Sequence, residues 1–251
     1  MDENESIANA DEQLSMGKVL LLVFIPAILI LLVFVGAAVL LKEYIPVFLC
    51  LLLTIVVVLL PFEIAIIGIA NKKKYGKFGL KVAFKRHESM PKWKIVFLSS
   101  LLFAWAGLVF TLLQTRENLF LINSVFKFVP DFLLSTTFVK QLATFPKWMI
   151  ALTCIVNLIF NGLIAPIVEE LYFRGYLMSR MERFGKATPL IVAVLFSLYH
   201  LFSPWENITR IIALVPYHYC VWKFKNLYIG MLVHCACNLV GAIALFSLLF
   251  T

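Results

Sequence analysis

Charge is scarce in this sequence. Only 14% of its 251 residues are Asp, Glu, Lys or Arg, whereas 62% are hydrophobic and mean hydropathy is +0.96. A soluble globular domain carries about a quarter charged residues, so composition excludes that class and leaves a membrane protein. Cysteines outside apolar stretches are also lacking. Cys50, Cys154, Cys220, Cys235 and Cys237 all sit within hydrophobic runs, which excludes a disulfide framework or a zinc-finger spacing. Cys235 and Cys237 are two residues apart, so on a helix they face nearly opposite sides and cannot both ligate a metal together with His234. A basic leader is lacking too. The first seventeen residues are acidic (Asp2, Glu3, Glu5, Asp11, Glu12), and the apolar run behind them is too long for a signal-peptide core. This predicts an acidic cytoplasmic tail over 1–17 and a retained first helix. With no internal repeat or low-complexity linker, 18–251 reads as a single transmembrane domain.

What fills the sequence is apolar helix. Seven segments are long enough to span, or nearly span, a hydrocarbon core of roughly 30 Å, which takes about 20 helical residues. They are Val19–Leu41, Ile45–Ala70, Ile95–Thr115, Trp148–Arg180, Thr188–Phe202, Thr209–Trp222 and Leu227–Phe250. The stretch Leu119–Lys147 is interrupted by Lys127, Pro130, Asp131, Lys140 and Pro146, and reads as an interfacial helix or a shorter eighth membrane element. The expected fold class is therefore all-α, a polytopic integral membrane protein of about seven to eight transmembrane helices.

The net charge of +8 lies in the loops between spans, so it marks topology and not a nucleic-acid surface. Nine Lys or Arg residues crowd 71–94, with Arg180, Arg183, Lys186, Lys223 and Lys225 on loops of the same parity. The positive-inside rule puts all of these in the cytoplasm, and the N-terminus with them. The loop 71–94 could also hold anionic lipid or an acidic substrate segment.

Against this background several ionisable residues stand inside apolar segments: Glu63, Glu169, Glu170, Arg174, His200, His218 and His234, accompanied by Asn157, Asn161 and Asn238. Each ionisable group costs about 2.5–3.5 kcal/mol to insert, so each implies a partner or a function. At about 1.5 Å per residue from the nearest cytoplasmic basic residue, Glu169, His200 and Asn238 lie at about 20–21 Å and His234 at about 14 Å. Glu170 and Arg174 are four apart and share a helix face, as do Phe196 and His200, and His234 and Asn238. Glu169 is turned about 100° away from Glu170. Hydrolysis of a peptide bond without a metal needs a base for water and donors for the oxyanion. Glu169 suits the base, His200 can share its proton, and His234 and Asn238 can donate N–H groups.

Glu169–Arg174 fits EExxxR, Phe196–His200 fits FxxxH and His234–Asn238 fits HxxxN. This ordered trio, over 157–240, resembles the CPBP family, also called Abi or type II CAAX prenyl endopeptidases. The resemblance implies an intramembrane glutamic endopeptidase acting on a peptide or lipidated protein tail, with a polar cavity open to the cytosol. It implies that Glu169 and His200 activate water, that His234 and Asn238 stabilise the oxyanion, and that Glu170, Arg174 and Phe196 order the site. It implies no required metal or cofactor. The competing reading is a non-enzymatic membrane protein: a bacteriocin immunity factor, a scaffold or a proton-coupled transporter, since intramembrane Glu and His also serve proton transport. Glu63 belongs to no motif and reads as packing or cavity lining; His218 reads as interfacial. Either a bacterial cell membrane or the endoplasmic reticulum suits such a chain.

Overall fold

The computed structural model describes residues 13–250, with side chains through 247; most of the acidic tail lies outside the described residues. Among the described residues eight helices carry the fold: α1 Met16–Leu41, α2 Val47–Tyr75, α3 Lys92–Ser124, α4 Phe138–Leu142, α5 Lys147–Arg180, α6 Thr188–Tyr199, α7 Asn207–Phe224 and α8 Leu227–Phe250. Short turns, some of them 3-10, join them, and no strand occurs among the described residues. Along α1, Val19, Val23, Ala27, Ile30, Phe34 and Ala38 are buried at helical spacing, while Leu21, Ile25, Ile28 and Leu32 are exposed on other faces. A helix apolar all round, with one face against protein and the other bare, is built to meet lipid.

Among the described residues five helices are long and apolar enough to cross a membrane: α1, α2, α3, α5, and Leu227–Ser247 of α8. Two of the seven expected spans are not among them. The 12 residues of α6 rise only about 18 Å. The 18 residues of α7 include Arg210, His218 and Lys223. Neither expected source supplies an eighth long helix. Residues 119–147 hold the end of α3, two 3-10 turns and the five-residue α4. The fourth segment is not split: α5 runs unbroken through Pro166. Proline cannot donate to the helix ladder. Here it follows a π-helical segment, Asn157–Ile164, whose wider turn absorbs the missing bond, and a second π segment covers Leu171–Leu177. Such π insertions frequently mark functional sites.

Around α5 the remaining elements converge. Its first π segment packs against α8, and its second against the 3-10 turn Lys81–Phe84 of the basic loop. That second contact is close. A Cβ at Gly175 would lie 2.6 Å from the Ala83 carbonyl oxygen, so only glycine lets the loop seat there. Asn71 holds the same loop, donating to Lys77 O (2.8 Å) and accepting from Val82 N (2.9 Å). The antiparallel pair α6–α7 packs face to face. The first residues of α7 lack a local side-chain cap. Glu117 on α3 supplies one from a distance, accepting the N–H groups of Ile208 and Thr209 at 2.7 Å each.

Candidate active site

The two motif glutamates stand at the end of the α-helical stretch Ala165–Glu170, between the two π segments of α5. Both are buried. Their 100° offset turns them to different sides, with His234 between the two. Glu170 meets Arg174 one turn on (Oε1–Nη1 3.2 Å). Its Oε1 also accepts from the Tyr217 hydroxyl (3.2 Å) and from His234 Nδ1 (3.1 Å). Arg174 Nη2 in turn donates to the Tyr217 hydroxyl, and the guanidinium lies 4.2 Å from the Phe196 ring centre. Glu170, Arg174, Tyr217 and His234 thus form one buried polar knot with Phe196 as its apolar plate. Gly230 on α8 makes room for it, because a Cβ there would run into Glu170 Oε2.

Glu169 turns to the imidazoles. His200 Nε2 is 3.9 Å from its Oε1, and His234 Nε2 is 3.6 Å from its Oε2. His200 ends α6, and its Nδ1–H donates to the Phe196 carbonyl (2.8 Å). A carbonyl oxygen only accepts, so Nε2 of the neutral ring carries the lone pair that faces Glu169. Separations of 3.6 and 3.9 Å are too long for direct hydrogen bonds, but a bridging water can span them. Six of the seven expected site residues come together here: Glu169, Glu170, Arg174, Phe196, His200 and His234.

Asn238 sits one turn beyond His234 and is bound elsewhere. Its amide donates to Asn161 O (2.8 Å), while Asn161 donates to Asn157 Oδ1 (3.0 Å). The depth estimate put Asn238 level with Glu169 and His234 shallower. The structure instead sets His234 against both glutamates. The estimate assumed straight helices of uniform rise, and α5 carries two π segments. An Asn side chain has two amide hydrogens, so one remains after the bond to Asn161.

Several contributors carried no motif. Tyr217 lies at helical spacing from Arg210 and Val221 on the buried face of α7; that periodicity was visible, but its target was not. Arg210 is buried and braces the turn that holds His200. It donates to Ser197 O (3.3 Å), Asn207 Oδ1 (3.1 Å), Ser203 Oγ (2.8 Å) and Glu206 Oε2 (3.1 Å). Glu63 on α2 is fully buried and interacts electrostatically with Glu169, Arg174 and Glu170. It faces Tyr199, whose hydroxyl is buried as well. His218, expected at the interface, is instead wholly buried, with its Nδ1 on Leu214 O (2.7 Å) and its ring 6.2 Å from Phe196. Two tyrosines flanking a histidine suggested an interface, yet the inward face of α7 put His218 in the core. Cys235 lies near the Leu163 carbonyl (3.8 Å). Among the described residues no group of three or more His, Cys, Asp or Glu is arranged to hold a metal ion.

With this geometry in hand, residues 151–240 match the family model described as type II CAAX prenyl endopeptidase Rce1-like. Comparison with curated proteins and with solved structures returned no match. The matched stretch contains all three motifs, so their resemblance to the CPBP family is shown. Together with five apolar helices among the described residues, the match supports an integral membrane protein whose 151–240 stretch is similar to that family.

Proposed function

We propose that the protein is an intramembrane endopeptidase that hydrolyses a peptide bond in a membrane-associated peptide or lipidated protein tail. The observation that carries the reading is the carboxylate of Glu169 standing within 3.6–3.9 Å of two imidazoles on two other helices. A water held between Glu169 and His200 gives up a proton as its oxygen attacks the scissile carbonyl. The proton goes to Glu169 or to the lone pair of His200 Nε2, and then to the departing amine, leaving a carboxylate and an amine as products. The oxyanion takes N–H donors from the uncommitted amide hydrogen of Asn238 and from Nε2 of doubly protonated His234, whose Nδ1–H stays on Glu170. Glu170, Arg174 and Tyr217 hold His234 at its angle without touching the reacting atoms. The basic loops face the cytoplasm in this proposal, and α6 and α7 complete the bundle as the sixth and seventh membrane elements.

Glu169→Ala and His200→Ala should each lower cleavage by about 10²–10⁴-fold, the usual contribution of a positioned acid or base. A proteomic comparison of cells carrying wild-type or Glu169→Ala protein identifies the substrate, and purified proteoliposomes then give the rate. Full activity in both variants would sink the mechanism. One observation favours the second reading, proton-coupled transport: Glu63 joins the Glu169 cluster. Glu63→Gln separates the two, since a transporter loses its coupled flux while a peptidase keeps cleaving.

A further inference from the structure

A cavity of about 400 Å³ lies at the basic end of the bundle, between the turn at 83–87, the last turns of α5 and the α7–α8 junction. Four cations line it, Arg86, Arg174, Lys223 and Lys225, against a single carboxylate, Glu182. Three of the four already have a carboxylate: Arg86 pairs with Glu182, Lys225 Nζ lies 2.7 Å from Glu88 Oε1, and Arg174 Nη1 lies 3.2 Å from Glu170 Oε1. Lys223 is exposed, its Nζ 5.7 Å from the Phe224 ring centre, with no carboxylate partner among the described residues. Arg174 is 2% exposed, and its Nε has no hydrogen-bond partner among the described residues. An orphaned guanidinium N–H in a buried place costs free energy unless something accepts from it. Burial also holds His87 below the ordinary histidine pKa, so it lines the cavity as a neutral hydrogen-bonding group.

Apart from Ser179, the rest of the lining is mostly apolar, including Met178, Val221 and Leu227. The occupant must therefore join an anionic head to an apolar continuation, and a bare phosphate would leave most of the volume empty. Trp222 beside Lys223 is the aromatic-and-basic pairing found at headgroup depth. Basic pockets between membrane helices recognise anionic headgroups in this way. We propose that this cavity seats the phosphate headgroup of an anionic membrane lipid, with the phosphate between Lys223 and Arg174. Because Arg174 also holds Glu170, an occupied cavity stiffens the knot that orients His234.

Binding is read without turnover, so its outcome is independent of the peptidase reading. Full-length protein and its Glu169→Ala variant, purified in neutral detergent, are titrated with phosphatidylglycerol or phosphatidylcholine. Retained lipid is counted by native mass spectrometry, and the melting temperature is followed in parallel. Phosphatidylglycerol should bind at least tenfold more tightly than phosphatidylcholine and raise the melting temperature of both proteins. Lys223→Glu, on an exposed residue, should cost about tenfold in phosphatidylglycerol affinity and leave the lipid-free melting temperature unchanged. Ser179→Phe, which fills the cavity, should abolish the preference. Equal binding of the two lipids, or an unaltered Lys223→Glu, would overturn the proposal. So would a full response to inorganic phosphate alone, or displacement of phosphatidylglycerol by a short peptide with a free C-terminal carboxylate.

Discussion

Replacing Gly230 with alanine tests whether Glu170 is as firmly held as its contacts suggest. Gly230 lies one turn before His234 on the same face of α8, and the added methyl would collide with Glu170 Oε2 and stand 3.1 Å from its Cδ. A free glutamate would swing aside cheaply. This one is fully buried, and Oε1 carries Arg174, Tyr217 and His234 at 3.1–3.2 Å. Losing one such charge-assisted bond costs about 1.5–3 kcal/mol, and exchanging Gly for Ala within a helix returns about 1 kcal/mol. The net loss is about 0.5–2 kcal/mol, or a melting temperature about 1–8 °C lower for a chain of this size. Gly107→Ala is the control, since nothing lies within 4 Å of its added Cβ, and it should melt at or above wild type. Both variants are melted in detergent and assayed for cleavage, where Gly230→Ala should lose about tenfold or more through the displaced His234. If the two alanines melt alike and cleave alike, the tightly held Glu170 is a mistaken picture.

Two further substitutions probe the supports of the site. Arg210→Met should cost about 3–5 kcal/mol by stranding Glu206 and the Ser197 carbonyl. Arg210→Lys keeps the charge but not the fork, and should recover only part of that stability; a fully stable Arg210→Met would refute the bracing role. Glu117→Ala removes the borrowed cap of α7 and should lower stability by about 0.5–2 kcal/mol. Faster hydrogen exchange at the amides of Ile208 and Thr209 should accompany it, and unaltered exchange would show that the cap contributes nothing.

The sequence by itself determined every relation governed by helical period. Four-residue spacing forecast the Glu170–Arg174 pair and the Phe196–His200 contact, both of which the structure contains. The 100° turn between Glu169 and Glu170 forecast that they would point apart, and Glu170 meets Arg174 while Glu169 meets His200, although His234 lies against both. Apolar run length forecast an all-helical membrane chain, because a backbone in lipid must satisfy its own hydrogen bonds. Tertiary structure decided whatever depends on which face of one helix meets which face of another. It brought Tyr217 to Glu170, Glu63 to the neighbourhood of Glu169, and Arg210 to the turn after His200. It also bonded Asn238 to Asn161 and buried His218, where loop position and straight-helix depths had suggested otherwise. Local spacing repeats every turn and carries no record of the neighbouring helix. Rotation and offset between helices are set by side-chain packing along whole interfaces, and at Gly230 and Gly175 by the absence of a side chain.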